Sequence, residues 1–446
     1  MSWSLVPAAR FADHAATWAG LNIAGPAAPL LSPEFVQPLL KEFGNGNEWL
    51  AMWRQDNEVV VMTIVCPRRA GVWETFQPSQ APVTLWLERP GALAPQDLPR
   101  LLDALIRTLP GGALLLAMTQ CDPAVTGQPP EGARITVLPY LDTARVALQG
   151  EFADYWNGRG KNLRANMKKQ RAKLLKEGVA TRMEVTREAD GMAAAVADFG
   201  RLESAGWKAQ EGTSVHLDNA QGRFYRAMLE GMAQRGDAAV YRYWFDDRLV
   251  AVNLCVEGAD SVIILKTTYD ESLGSQYSPA FLLLEELCQH LFALRRFKGL
   301  EFYGKVMEWH RRWSDEVRTL YHVNSYRWSG LRRLHHAWQR RAENRNLAAA
   351  TPAATAEPPM ELRQMQLESV KTILGDVLSL GPSAQALTRD SALLGSIPEL
   401  DSMAVVQLLA ALEEHYGFTI EDDDISAHTF ATVGSLTDFV TDKMAA

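Results

Sequence analysis

The chain of 446 residues sets 45 Lys and Arg against 53 Asp and Glu, a net charge of −8, and is 47% hydrophobic. That size suits two or three domains with cores large enough to stand without disulfides. Cys66, Cys121, Cys255 and Cys288 are scattered without metal-ligand spacing, the first twenty residues lack a basic then apolar leader, and no apolar run approaches membrane-spanning length. A soluble, cytoplasmic protein with reduced thiols is expected.

In chain order, residues 1–148 contain "WETFQPSQAPVTLWL" and "AMTQCDPAV". The stretch from Arg159 to Lys176 carries eight Lys or Arg on a predicted helix, by default a solvated face. No RNA-binding motif or aromatic platform accompanies it, so nucleic acid is not expected as a partner. "AAVYRYWF", "RLVAVNLCVEG" and "DSVIILKTTYD" read as three strands separated by turn residues, Asp246-Asp247 among them. "SPAFLLLEELCQHLFALRRF" reads as a helix with Pro279 in its first turn, where the missing N–H is harmless. "GLEFYG" reads as a further short strand. His335-His336 lies in a basic tail without further ligands, so no metal is expected.

Ala342–Pro359, "AENRNLAAATPAATAEPP", is rich in Ala, Thr and Pro and cannot build a core. It reads as a flexible linker, which raises the effective concentration of whatever it tethers. Beyond it, Val370, Ile373, Leu374 and Val377 mark one face of a helix near 361–380, closed by Gly381-Pro382. After a long loop, Asp401-Ser402 precedes a second helix from about Met403 to Tyr416, with Val405, Leu408, Leu409 and Leu412 on one face. Ser402 is a good N-cap, which needs no function to explain it. "IEDDDI" suits a short third helix and "VGSLTDFV" a last one. From Glu361 onward fourteen Asp and Glu face four Lys and Arg, a net of −10, so the first 360 residues are about +2.

Leu400-Asp401-Ser402-Met403, followed by "LLAALEEHYGFTIEDDDI" and "TFATVGSLTDFV", resembles an acyl carrier protein from about Leu362 to Met444. The resemblance implies an all-α four-helix carrier domain with 4′-phosphopantetheine on Ser402, acyl groups held as thioesters, and two kinds of partner: a phosphopantetheinyl transferase and an acyl-loading enzyme or synthase. A phosphodiester there would face free helix N–H groups. An acidic carrier would also find a docking surface in the basic Arg159–Lys176 run.

The body resembles the Fem-like and CelD-like acyltransferases, which join two halves of the GNAT fold. The residues that carry this are "RGKNLRANMKKQRAKLLKEG", "ESAGWKAQEGTS", "TTYDESLGSQYSPAFLLLEE" and "YGKVMEWHRRWSDEVR", with the two N-terminal strings for the other half. The implied architecture is a mixed α/β (α+β) tandem: residues 1–148, residues 149–335, a linker over 336–361, and the carrier over 362–446. The implied chemistry is acyl transfer from a thioester to a small amine or hydroxyl acceptor, which needs a neutral nucleophile, an oxyanion donor and an acid for the thiolate.

Tyr269 is a candidate acid, and Glu308 and His310 are candidate bases. Tyr277 and Ser278 are candidates for the pantetheine channel, and Trp207 and Lys208 for the acceptor. For each, an ordinary packing or surface role competes. Acyl-CoA is a further co-substrate to consider, but the loop "YDESLGSQYSP" has one glycine and no arginine with which to cradle a CoA pyrophosphate. The competing reading is a non-enzymatic carrier whose body only docks partner enzymes.

Overall fold

The computed structural model describes residues 2–204, 215–216, 218–274, 276–332, 360–377, 387–393, 408, 412, 415–416, 429 and 432–445. It divides into two units, Met1–His335 and His336–Ala446.

The first unit is built on one 13-stranded sheet. Its N-terminal half comprises β1 (Ser2–Pro7), α1 (Phe11–Ala24), α2 (Pro33–Phe43), β2 (Trp49–Gln55), β3 (Glu58–Arg69), β4 (Val72–Thr75), β5 (Trp86–Glu88), α3 (Leu98–Thr108), β6 (Leu115–Cys121) and β7 (Ile135–Ala147). The second half comprises α4 (Phe152–Gly158), α5 (Lys161–Lys176), β8 (Thr181–Thr186), α6 (Ala189–Ser204), α7 (Ala220–Ala233), β9 (Ala238–Phe245), β10 (Arg248–Glu257), β11 (Ser261–Tyr269), α8 (Pro279–Leu294), β12 (Gly299–Glu301), α9 (Glu308–Trp313) and β13 (Glu316–Tyr326).

Each half repeats one plan. An antiparallel run (β1 to β4, then β8 to β11) is followed by a helix, α3 or α8, and then by a strand parallel to the last of the run, β6 or β12. The two final strands change places. β13 pairs β6 of the first half, and β7 pairs β12 of the second, so the order β6-β13-β7-β12 locks the halves into one sheet. Residues 1–148 and 149–335 therefore share one unit.

Strands β9 to β11 read as continuous apolar runs because helices cover both sheet faces. One face packs Val240, Val252 and Leu254 against Phe199, Phe224 and Met228 of α6 and α7. The other packs Tyr243, Ala251 and Cys255 against Leu282, Leu287 and Leu291 of α8. Each such large side chain, fully buried, contributes on the order of 2 kcal/mol. Asp246, with φ of 50°, supplies the left-handed residue in the tight turn between β9 and β10.

In the second unit, helices Met360–Val377 and Val433–Ala445 are described, with Leu408 and Leu412 between them in sequence. Val370, Leu374, Leu408, Leu412, Leu436 and Val440 form their common core. Ser402 lies outside the described residues, as do most of the predicted second helix and the third. Among the described residues no helix is long and apolar enough to cross a membrane.

Candidate active site

The parallel pairing of β11 with β12 is three residues long: Ser261 with Gly299, Val262 with Leu300, Ile263 with Glu301. Beyond that rung β12 ends, and β11 continues to Tyr269 paired on its other edge only, with β10. The two strands thus part after Ile263 and Glu301. A register shift between Leu254 and Cys255 of β10 leaves Leu265 as an extra residue on β11, a bulge that bends this open edge. The open edge holds backbone groups without strand partners, a place where an extended ligand can pair.

A cavity of about 800 Å3 opens at the head of α8, walled by α5 and α9. Its cations are Arg159, Lys169, Lys173, Arg311 and Arg312, against the carboxylates of Glu308 and Asp315. Arg159 pairs with Asp315 at 2.6 Å, and Arg312 with Glu308 at 2.7 Å. Lys173 lies 4.4 Å from the Tyr277 ring centroid. Lys169 and Arg311 have no ion-pair partner among the described residues. Two buried polar atoms on these walls, Arg159 Nε and Gln170 Oε1, lack hydrogen-bond partners. Leu163, Met167 and Phe281 supply the apolar lining. Unpaired cations for a phosphodiester, an orphan acceptor for an amide N–H and apolar walls for methylene groups together fit a phosphopantetheine arm.

A second cavity, of about 610 Å3, lies at the seam of the two halves. Ile263 and Glu301, the last paired rung of β11 and β12, both line it, and Asp315 lines both cavities. Its floor is a buried charge network. Asp122, fully buried, accepts from Arg318 Nε at 2.9 Å, from Arg318 Nη2 at 2.7 Å and from the Tyr303 hydroxyl at 2.7 Å. Arg318 Nη1 reaches Glu301 at 2.7 Å, and Arg145 Nε lies 3.0 Å from Glu301. Burial pushes the Glu301 carboxyl up, while burial and then Asp122 push the Tyr303 phenol up. Tyr303 has a φ of 45°, where the chain leaves the sheet after β12.

The residues singled out in the sequence are distributed as follows. Tyr269 ends the open edge of β11 and is 44% exposed. Ser278 precedes α8 with a φ of 34° and lines the first cavity; its carbonyl accepts from the N–H groups of Phe281 and Leu282. Tyr277 points instead toward α5, donating to Glu177 at 3.0 Å. Glu308 lines the first cavity. His310 does not line it: it is buried against Trp309 and Phe302, and its Nδ1 accepts the Met307 N–H at 2.9 Å. Burial lowers its pKa to about 4. With Nδ1 engaged as acceptor, the neutral ring carries its proton on Nε2, which leaves no free lone pair to serve as a base. Trp207, Lys208 and Ser402 lie outside the described residues.

The seam network is not legible in the sequence. Asp122 sits in the quoted "AMTQCDPAV" and Glu301 in "GLEFYG", but their partner Arg318 is distant in the chain. A carboxylate inside an otherwise apolar strand was the one available signal.

A family model described as acetyltransferase (GNAT) domain matches residues 161–311, and one described as phosphopantetheine attachment site matches residues 368–440. The chain is 35% identical over 80 residues to an acyl carrier protein of Thermosynechococcus vestitus, covering 18% of this chain and 93% of that protein. It is 57% identical to the holo acyl carrier protein of Nitrosomonas europaea, covering 18% and 96%, with a TM-score of 0.18. It is 8% identical to FemX, covering 73% and 97%, with a TM-score of 0.49. The chain belongs, through its C-terminal segment, to the acyl carrier proteins, and as a whole it is a GNAT-type acyltransferase fused to a phosphopantetheine-binding carrier domain.

Proposed function

We propose that the body takes an acyl group from the phosphopantetheine thioester on Ser402 of its own carrier and transfers it to a small amine. The observation that carries this reading is the parting of β11 from β12 at the seam cavity, which shares Asp315 with the cationic one. When bound, the group supplies a thioester carbonyl open to amine attack.

Lys169 and Arg311 would hold the phosphodiester at the head of α8, where the helix dipole adds to their charge. Gln170 Oε1 would accept from an amide N–H of the arm. The open edge of β11 would align the arm and offer a backbone N–H to the thioester carbonyl oxygen. Tyr269 would supply the proton for the sulfur. Ser278 shapes the cavity mouth, and Glu308 holds Arg312 in place. His310, as a neutral ring, packs the turn that precedes α9.

The loop between Tyr269 and Pro279 supports a carrier-borne donor over acyl-CoA, because a carrier-bound arm brings no adenosine diphosphate to grip. The enzymes this reading requires as partners are a phosphopantetheinyl transferase and one that loads the acyl group.

The test is intact-protein mass spectrometry after treatment with a phosphopantetheinyl transferase and CoA. One phosphopantetheine is expected on the wild type and none on Ser402→Ala. Lys169→Glu with Arg311→Glu is expected to load normally yet transfer at least tenfold more slowly. Equal transfer rates would remove the cationic cavity from the reaction.

A further inference from the structure

The seam cavity differs in character from the cationic one. Each guanidinium on its wall already lies against two carboxylates: Arg318 against Asp122 and Glu301, Arg145 against Glu301 and Glu316. Arg145 Nη2 is also spent on the Lys298 carbonyl at 3.1 Å. The rim adds Asp260 and Asp315, whose own partners are Lys298 and Arg159. Five carboxylates thus meet four cations, and three of them, Asp315, Asp260 and Glu316, have side chains 82%, 55% and 52% exposed. The opposite wall is apolar, made by Pro29, Leu30, Val83 and Val125. A ligand here meets available carboxylate oxygens and an oily wall, while the arginines are already committed.

We infer that the seam cavity is the acceptor site and that it takes a primary amine, entering as an ammonium, on an apolar stem without a carboxylate or phosphate of its own. The inference rests on the transfer reaction proposed above. The rim carboxylates attract the cation, and an anionic group on the stem would meet net negative charge with no free guanidinium. Because the last rung of β11 and β12 lines the cavity, an amine seated there lies at the point where the strands part. The ammonium first gives a proton to solvent by way of Glu316. The nitrogen lone pair then forms the bond to the acyl carbon, the carbon–sulfur bond breaks, and the proton released by nitrogen restores the one that Tyr269 gives to the sulfur. The products are an amide and a free thiol.

The test is calorimetric binding to full-length Ser402→Ala protein, which cannot be loaded, with three probes: hexylamine, hexanol and hexanoate. Hexylamine is expected to bind at least tenfold more tightly than the other two. Val125→Trp, which fills the cavity, should abolish that binding. Asp315→Lys with Glu316→Lys, at unchanged circular dichroism, should reverse the order in favour of hexanoate. Hexanoate binding as tightly as hexylamine, or hexylamine binding untouched by both variants, would overturn the inference. Amine binding without any transfer from loaded wild-type protein would instead overturn the donor chemistry and leave this site standing.

Discussion

His310 illustrates how a residue type suited to proton transfer becomes a packing element. Its Nδ1 accepts the Met307 N–H and its ring stacks on Trp309 at 3.6 Å between centroids. Its pKa, lowered by burial to about 4, means that the unfolded chain binds a proton that the folded one refuses between about pH 6.5 and pH 4. Stability therefore falls as pH falls through that window, by roughly 3 kcal/mol at most from this ring. His310→Gln should flatten the acid side of a denaturant-unfolding series measured from pH 7 to pH 4. An unchanged slope would mean that the ring titrates normally. For Tyr269 the expectation is kinetic: Tyr269→Phe should slow single-turnover transfer by on the order of tenfold to a hundredfold while leaving phosphopantetheine loading unaltered. A rate like that of the wild type would assign the proton to another group.

At the scale of elements, the three residues of β12 hold the two halves in one sheet and also mark where the strands part. Gly299 begins β12, and a Cβ there would fall against the Arg145 guanidinium, which is tied to Glu301, Glu316 and the Lys298 carbonyl. Gly299→Ala should displace that side chain, leave Glu301 short of a partner and cost about 1–3 kcal/mol. Thermal unfolding of the body would show the loss, with hexylamine affinity falling in parallel.

The strands, α8 and the short β12 were legible in the sequence because apolar runs, turn residues and Pro279 act locally. The exchange of β7 and β13 was not, since strand order depends on pairings far apart in the chain. The basic run was legible as charge, yet its division of labour was not. Arg171 reaches Glu285 and Glu286 of α8 and Arg159 reaches Asp315, whereas Lys161, Lys168, Lys169 and Lys176 stand exposed. Only packing separates the structural cations from the available ones. The candidate site was legible to a similar degree. Ser278, Tyr269 and Glu308 fall on the cavity or the open edge, while Tyr277 and His310 are occupied elsewhere.

For the molecule as a whole, a carrier segment of net charge −10 follows 360 residues of net charge about +2, the Ala- and Pro-rich linker included. Opposite charge favours encounter, and tethering replaces affinity with effective concentration. Lys161→Glu, Lys168→Glu and Lys176→Glu together, all exposed and outside the cationic cavity, should slow transfer from a separately added carrier more than transfer within the fused chain, and raised salt should mimic the triple change. Equal, salt-insensitive rates would place the encounter elsewhere on the body.

The proposed reaction makes the carrier on Ser402 the acyl donor. The most direct measurement is a single-turnover comparison at matched concentration: wild-type protein acylated on Ser402 against Ser402→Ala protein given the same acyl group on CoA, each mixed with hexylamine. Amide is expected to form at least tenfold faster from the loaded wild type, with the acyl mass leaving the intact protein at the same rate. Equal or faster amide formation by Ser402→Ala protein from acyl-CoA would contradict it.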